Sequence, residues 1–207
     1  MKIALAQLNY HIGNFSDNTR KIIDSIRKAK AEKADLVVFA ELAVSGYPPR
    51  DFLEFDDFIV RCDDAVNEIA SECRGIAAVI GCPVRNPELK GKNLLNAALF
   101  LADGVVKHQY YKALLPNYDV FDEYRYFEPG RKFNLVEYKG KKIALTVCED
   151  LWDLGTDPQY VVNPMDELIR GGPDFAINIA ASPFHYDQAD IRREVIRENA
   201  RKYRLPF

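Results

Sequence analysis

The chain has 207 residues, 48% of them apolar and 29% charged, a composition that suits one substantial globular domain. A net charge of -3 gives no electrostatic footprint for nucleic acid or an anionic membrane, and the apolar runs are strand-length, too short to span a bilayer. No leader precedes the first apolar stretch, so the expected location is the cytoplasm.

Lys2 to Leu8 alternates and reads as a first strand. Asn14-Phe15-Ser16-Asp17 is a turn with Ser16 or Asp17 as helix cap, and a helix then runs to about Glu32. Ile22, Ile23, Ile26 and Ala29 share its apolar face. Asp35 to Ala40 is a second, buried strand, and this β-α-β opening implies a parallel pair. The strand ends at Glu41, followed by a loop rich in Gly and Pro. A helix spans about Asp56 to Cys73, and Ile76 to Cys82 forms a third strand. Leu94 to Leu101 and Val105 to Tyr110 make a hairpin across Ala102-Asp103-Gly104.

Tyr111 to Arg131 has no clean period and is dense in aromatics, prolines and charges, which marks a functional loop. A second hairpin joins Phe133–Tyr138 to Lys142–Val147. Its second strand ends at Cys148, with Glu149 and Asp150 directly after. A further helix is expected from about Gln159 to Arg170, and Gly171-Gly172-Pro173-Asp174 stops it. Those glycines follow a helix and precede the strand Phe175 to Ala180, the reverse of a phosphate cradle. The last helix runs from about Asp187 to Tyr203. Its many arginines alternate with Glu194 and Glu198, which suits a solvated face. Leu205-Pro206-Phe207 reads as the start of another strand, so the chain is expected to be incomplete at its C-terminus.

Cys62, Cys73, Cys82 and Cys148 form no C-x-x-C and have no histidine spacing for zinc, so all four read as reduced thiols and no metal site is expected. Cys148 is either a small core residue or a nucleophile held at a sheet edge, where α/β proteins bind ligands. Glu41 ends another buried strand, and Lys112 lies just after the first hairpin. Should the three ends share one edge, a base, a cation and a thiol converge, which suffices for acyl transfer without histidine.

The ordered segments Phe39-Ala40-Glu41-Leu42, Lys112-Ala113-Leu114-Leu115-Pro116 and Val147-Cys148-Glu149-Asp150 resemble the nitrilase (carbon-nitrogen hydrolase) superfamily, with its Glu-Lys-Cys triad. The flanks from Glu41 to Leu53, Leu115 to Phe127, Cys148 to Trp152 and Asn178 to Phe184 are similar to the glutaminase domains of glutamine-dependent NAD synthetases. Glu149 stands where typical nitrilases and amidases have an aromatic residue.

The resemblance implies an α-β-β-α sandwich with mixed sheets flanked by helices, and one carbon-nitrogen hydrolase domain over residues 1–207, truncated at its C-terminus. It implies Glu41 as general base, Lys112 as oxyanion stabiliser and Cys148 as nucleophile. Glu123 becomes a second glutamate orienting the lysine and the substrate. Tyr47, Tyr118, Trp152 and Ser182 line the substrate pocket, and the Glu149 backbone N–H completes the oxyanion hole. The implied substrate is L-glutamine. The implied partners are a synthetase domain of the same parent chain and further copies in a homo-oligomer. ATP and Mg belong to that other domain, so this chain is expected to bind neither ATP nor NAD. The rival expectations are a stand-alone amidase for a small carboxamide and a non-catalytic binding module.

Overall fold

The computed structural model describes residues 1–88, 90–154 and 160–207. Two sheets form its centre. The first has the order β1-β2-β3-β4-β5, from β1 (Ile3–Leu5), β2 (Leu36–Val38), β3 (Ala77–Arg85), β4 (Leu94–Ala102) and β5 (Val105–Tyr111). β1, β2 and β3 pair in parallel, while β3, β4 and β5 pair antiparallel. The second sheet has the order β6-β7-β8, from β6 (Val136–Tyr138), β7 (Lys141–Val147) and β8 (Phe175–Ile179). β6 runs antiparallel to β7 and β8 parallel to it.

Strand alternation explains the layers, because successive side chains point to opposite faces. Val37, Ala78, Ile80, Ala97 and Leu99 join Ile22, Ile26, Ile59 and Ile69 of α1 (Phe15–Ala31) and α2 (Asp56–Glu72) in one core. Leu36, Val38, Val79, Ala98 and Phe100 face the other way and pack with Ile143, Leu145, Val147 and Ile177 of the second sheet. Met165 and Leu168 of α4 (Pro164–Leu168) belong to that second core, as does Val195 of α5 (Gln188–Tyr203) at its margin. The central strands β2, β3 and β4 are therefore buried on both faces, which is why β3 and β4 read as mostly apolar runs.

Several boundaries differ from the sequence reading. β1 stops at Leu5 rather than Leu8, and Asn14, not Ser16 or Asp17, caps α1 by accepting the Asp17 N–H. The expected helix from Gln159 begins only at Pro164, and Gln159 lies outside the described residues. Pro164 has no N–H and suits the first helical position, and Asn163 caps it through Met165 N at 3.0 Å. A 3-10 turn over Ile169–Gly171 then ends at Gly172, whose φ of 67° is left-handed. The expected final strand is represented by one bond: Ala176 N of β8 donates to Pro206 O at 2.9 Å. Among the described residues no helix is long and apolar enough to cross a membrane.

Candidate active site

Three chain segments leave the two sheets at one edge. After β2 the chain turns around β3: Gly81 N donates to Ala40 O at 3.2 Å and Val44 N to Gly81 O at 3.2 Å. A Cβ on Gly81 would lie 2.2 Å from Leu42 N, so only glycine lets this turn approach so closely. The turn carries Glu41, 1% exposed. One residue beyond β5, Lys112 is fixed by its backbone, N–H to Asn96 O and carbonyl from Gly130 N–H, both at 2.8 Å. Its side chain is fully buried. β7 ends in a 3-10 turn, Cys148–Leu151, in which Cys148 takes a φ of 41°.

The Lys112 ammonium sits among carboxylates. Its Nζ donates to Glu41 Oε1 at 2.7 Å and to Glu123 Oε1 and Oε2 at 2.8 and 2.7 Å. Glu123 opens the short helix α3 (Glu123–Tyr126) inside the irregular loop. Burial alone pulls the ammonium down, but Glu41 and Glu123 more than offset it and hold Lys112 well above its usual range. Glu123 itself is pushed up by burial, with Lys112 opposing. Tyr47 OH donates to Glu123 Oε1 at 2.9 Å, and Ala181 N, just past β8, to Glu41 Oε2 at 3.1 Å. That last bond ties the second sheet to the glutamate of the first.

Cys148 lies in the field of the same charges. Its thiol is pushed up to about 12 by burial first and Glu41 next, with Lys112 opposing. The resting sulfur is therefore a thiol rather than a thiolate, and its proton must pass to a base when it reacts. None of the groups acting most strongly on it is a histidine. Ser182 Oγ lies 3.8 Å from Cys148 Sγ and accepts from Arg192 Nη1 at 2.5 Å.

Residues 2–153 match the family model of the carbon-nitrogen hydrolases. The chain belongs to the carbon-nitrogen hydrolase family. It is 37% identical over 212 residues to a glutamine-dependent NAD(+) synthetase of Synechocystis, a match covering 99% of this chain and 38% of that protein. The solved structure of a glutamine-dependent NAD+ synthetase from Acinetobacter baumannii, in complex with ADP, is similar with a TM-score of 0.87 and 33% identity. That match covers 98% of this chain and 36% of the other. An amidase of the nitrilase superfamily from Nesterenkonia AN1 shares the fold, with a TM-score of 0.81 at 22% identity over 99% of this chain and 73% of its own. The chain thus spans little more than a third of the length of the curated relatives it matches. The α-β-β-α expectation is that of a carbon-nitrogen hydrolase, and the observed layers agree with it.

The remaining expected residues divide. Glu149 points its carboxylate at two phenols, Tyr118 OH at 2.9 and 3.0 Å and Tyr160 OH at 3.1 Å, and burial pushes it up. Trp152 closes the 3-10 turn after Cys148, with its N–H on Glu149 O at 2.9 Å, a bond local to that turn. Tyr47, Tyr118, Glu123 and Ser182 all lie within the hydrogen-bonded cluster around Lys112, Glu149 and Cys148.

Sequence reasoning missed four residues. Asn96 is fully buried, and its Nδ2 donates to Glu41 Oε1 at 2.9 Å and to Glu123 Oε2 at 3.5 Å. A lone amide within Leu94-Leu95-Asn96-Ala97-Ala98-Leu99 was a visible signal. Tyr160 and Asp150 gave no periodic sign. Arg192 was assigned to a solvated face. Arg193, Arg197, Arg201 and Lys202 do pair with acids, but Arg192 has no acid partner among the described residues and turns to Ser182. No cluster of three His, Cys, Asp or Glu side chains suited to a metal ion occurs among the described residues.

Proposed function

We propose that this chain hydrolyses the side-chain amide of L-glutamine through a γ-glutamyl thioester on Cys148. The observation that carries the reading is the buried Lys112, 2.7 Å from Glu41, acting on the Cys148 thiol. Glu41 takes the thiol proton as sulfur bonds to the amide carbon. The Lys112 ammonium, with the Glu149 backbone N–H, stabilises the negative charge that gathers on the amide oxygen. Glu41 then returns its proton to the leaving nitrogen, and the C–N bond breaks to release ammonia. Water, deprotonated by the same glutamate, attacks the thioester, and the thiol is regenerated with glutamate as product. Glu123 and Asn96 hold Lys112 and Glu41 in register.

Recognition of the amino-acid head group suits the charges around the nucleophile. Arg192 beside Ser182 offers a cation to a carboxylate, and Glu149 with its two tyrosines offers an anion to an ammonium. The names of the relatives support glutamine as the substrate. On this reading the ammonia serves a separate ATP-dependent synthetase domain that makes NAD, and the nucleotide chemistry belongs there.

The test is Cys148→Ala in the intact parent protein that also carries the proposed synthetase domain. Glutamine hydrolysis and glutamine-supported synthesis are expected to disappear while ammonia-supported synthesis persists. Substantial glutaminase activity in the variant would sink the assignment. Turnover of simple carboxamides in preference to glutamine would make the wild-type chain an amidase instead.

A further inference from the structure

Asp150 lies two residues from the nucleophile and is 1% exposed, yet the chemistry proposed above does not use it. Its carboxylate accepts four hydrogen bonds from three places. Oδ2 takes the Val147 N–H and the Tyr110 hydroxyl, each at 2.9 Å. Oδ1 takes the backbone N–H groups of Ala113 at 3.0 Å and Leu114 at 2.9 Å. Val147 ends β7 in the second sheet and directly precedes Cys148. Tyr110 lies in β5 of the first sheet, and Ala113 and Leu114 directly follow Lys112.

One carboxylate therefore touches the residue before the nucleophile and the two residues after the lysine, across the seam between the sheets. Both ends need such a hold. Cys148 sits at a φ of 41°, a left-handed conformation that an ordinary residue keeps only when its surroundings enforce it. Lys112 keeps backbone bonds to Asn96 and Gly130, but the next two N–H groups, of Ala113 and Leu114, leave the strand and go to Asp150. Each oxygen of the carboxylate has two lone pairs, and all four are used. Burial pushes Asp150 up to about 6, against the N–H groups that favour its charge, so the group is kept here at a cost. A buried acid whose hydrogen-bond partners among the described residues include no cation is a poor choice for stability alone.

We infer that Asp150 is a positioning residue that sets the distance between the Cys148 sulfur and the Lys112 ammonium by binding the flanking backbone of both. This rests on the proposed amide-hydrolysing role of the two residues. Asp150 is buried and its carboxylate oxygens are taken up by protein groups, so it is expected to act on turnover and not on substrate affinity. Three backbone N–H groups do the positioning. The Tyr110 hydroxyl satisfies a lone pair and can rotate, whereas backbone N–H groups cannot.

Asp150→Asn separates these contributions at constant shape. The amide nitrogen must face either Val147 N–H or the Ala113 and Leu114 pair, donor against donor, and that end of the clamp opens. Misplacement by about 1 Å costs on the order of 100-fold in rate. In the full chain, kcat for glutamine is expected to fall about 10- to 100-fold with KM within about 3-fold of wild type. Rates are counted per active site titrated with a chloroketone analogue of glutamine, so loss of folded protein does not contribute. Tyr110→Phe, which keeps the three backbone bonds, is expected to stay within about 3-fold of wild type. Wild-type kcat per titrated site in Asp150→Asn overturns the inference, and so does a loss confined to KM. Should Asp150→Asn not fold, a large kcat loss in Tyr110→Phe still overturns it. A wild type idle on glutamine but active on propionamide refutes the glutamine reading alone, and the same kcat ratios on propionamide then judge Asp150. A wild type idle on both refutes both.

Discussion

Lys112→Met tests whether the buried lysine holds two carboxylates together as well as serving catalysis. Met fills much of the same space but removes the ammonium that lies 2.7 Å from Glu41 and 2.7 Å from Glu123. Two acids are then left buried side by side without their counter-charge. Removing one partner of a buried pair costs about 3–5 kcal/mol, because the charge left behind is uncompensated. For a domain of this size that is on the order of 10 °C in Tm. The loss must depend on pH. Burial already raises the folded-state Glu123 carboxyl above its unfolded value, and without the cation that opposes this it rises further. A carboxyl raised in this way costs nothing when protonated in both states, and stability is lost as pH climbs from the unfolded pKa through the folded one. The deficit relative to wild type is thus expected to be larger at pH 8 than at pH 5, by at least about 1 kcal/mol. Urea unfolding of both proteins at the two pH values measures it, and glutamine turnover should fall by at least about 100-fold at either pH. Equal deficits at pH 5 and pH 8 would refute the reasoning, since the lysine would then not be balancing ionised acids.

Two further outcomes follow from the same geometry. A glutamine-like electrophile should label Cys148 before Cys62, Cys73 or Cys82. Cys148 has the Glu41 carboxylate and the Lys112 ammonium acting on it, whereas the other three are fully buried. Peptide mapping after brief labelling at neutral pH reads this, and preferential capture of another cysteine would count against the mechanism. Gly81→Ala should displace Glu41, the proposed base, through its backbone. Its Cβ would lie 2.2 Å from Leu42 N and 2.7 Å from Glu41 C, backbone that has nowhere to go. The expected cost is about 1–3 kcal/mol of stability from overpacking. A kcat loss on the order of 100-fold should accompany it as the Glu41 turn shifts. Unchanged thermal melting and turnover would show that the turn is free to move.

Much of the architecture was legible because the signals are local. The apolar face Ile22, Ile23, Ile26, Ala29 marked α1, the Asp103-Gly104 turn marked a hairpin, and both are present. Boundaries were less legible. Asn14 rather than Ser16 caps α1, and Pro164 starts α4 later than periodicity suggested, because a cap depends on where the chain arrives from. Arg192 shows the same limit at the site. Its charge pattern along α5 is that of its solvated neighbours, and only the packing of that helix turns it toward Ser182.

By itself, the sequence determined which residue types could do chemistry. Glu41, Lys112 and Cys148 each stand at or just past a strand end, in an order that resembles a known family, and those strand ends follow from hydrophobic pattern alone. Only the tertiary structure decided how these groups act on one another. Glu41 and Lys112 are 71 positions apart and meet at 2.7 Å. Asn96 reaches Glu41, Ala181 reaches across from the second sheet, and Asp150 joins the flanks of Lys112 and Cys148. The reason is physical. A strand's period says which face a side chain takes, but a charge buried at the seam of two sheets must find its partner there, and the sheet order sets which partner that is.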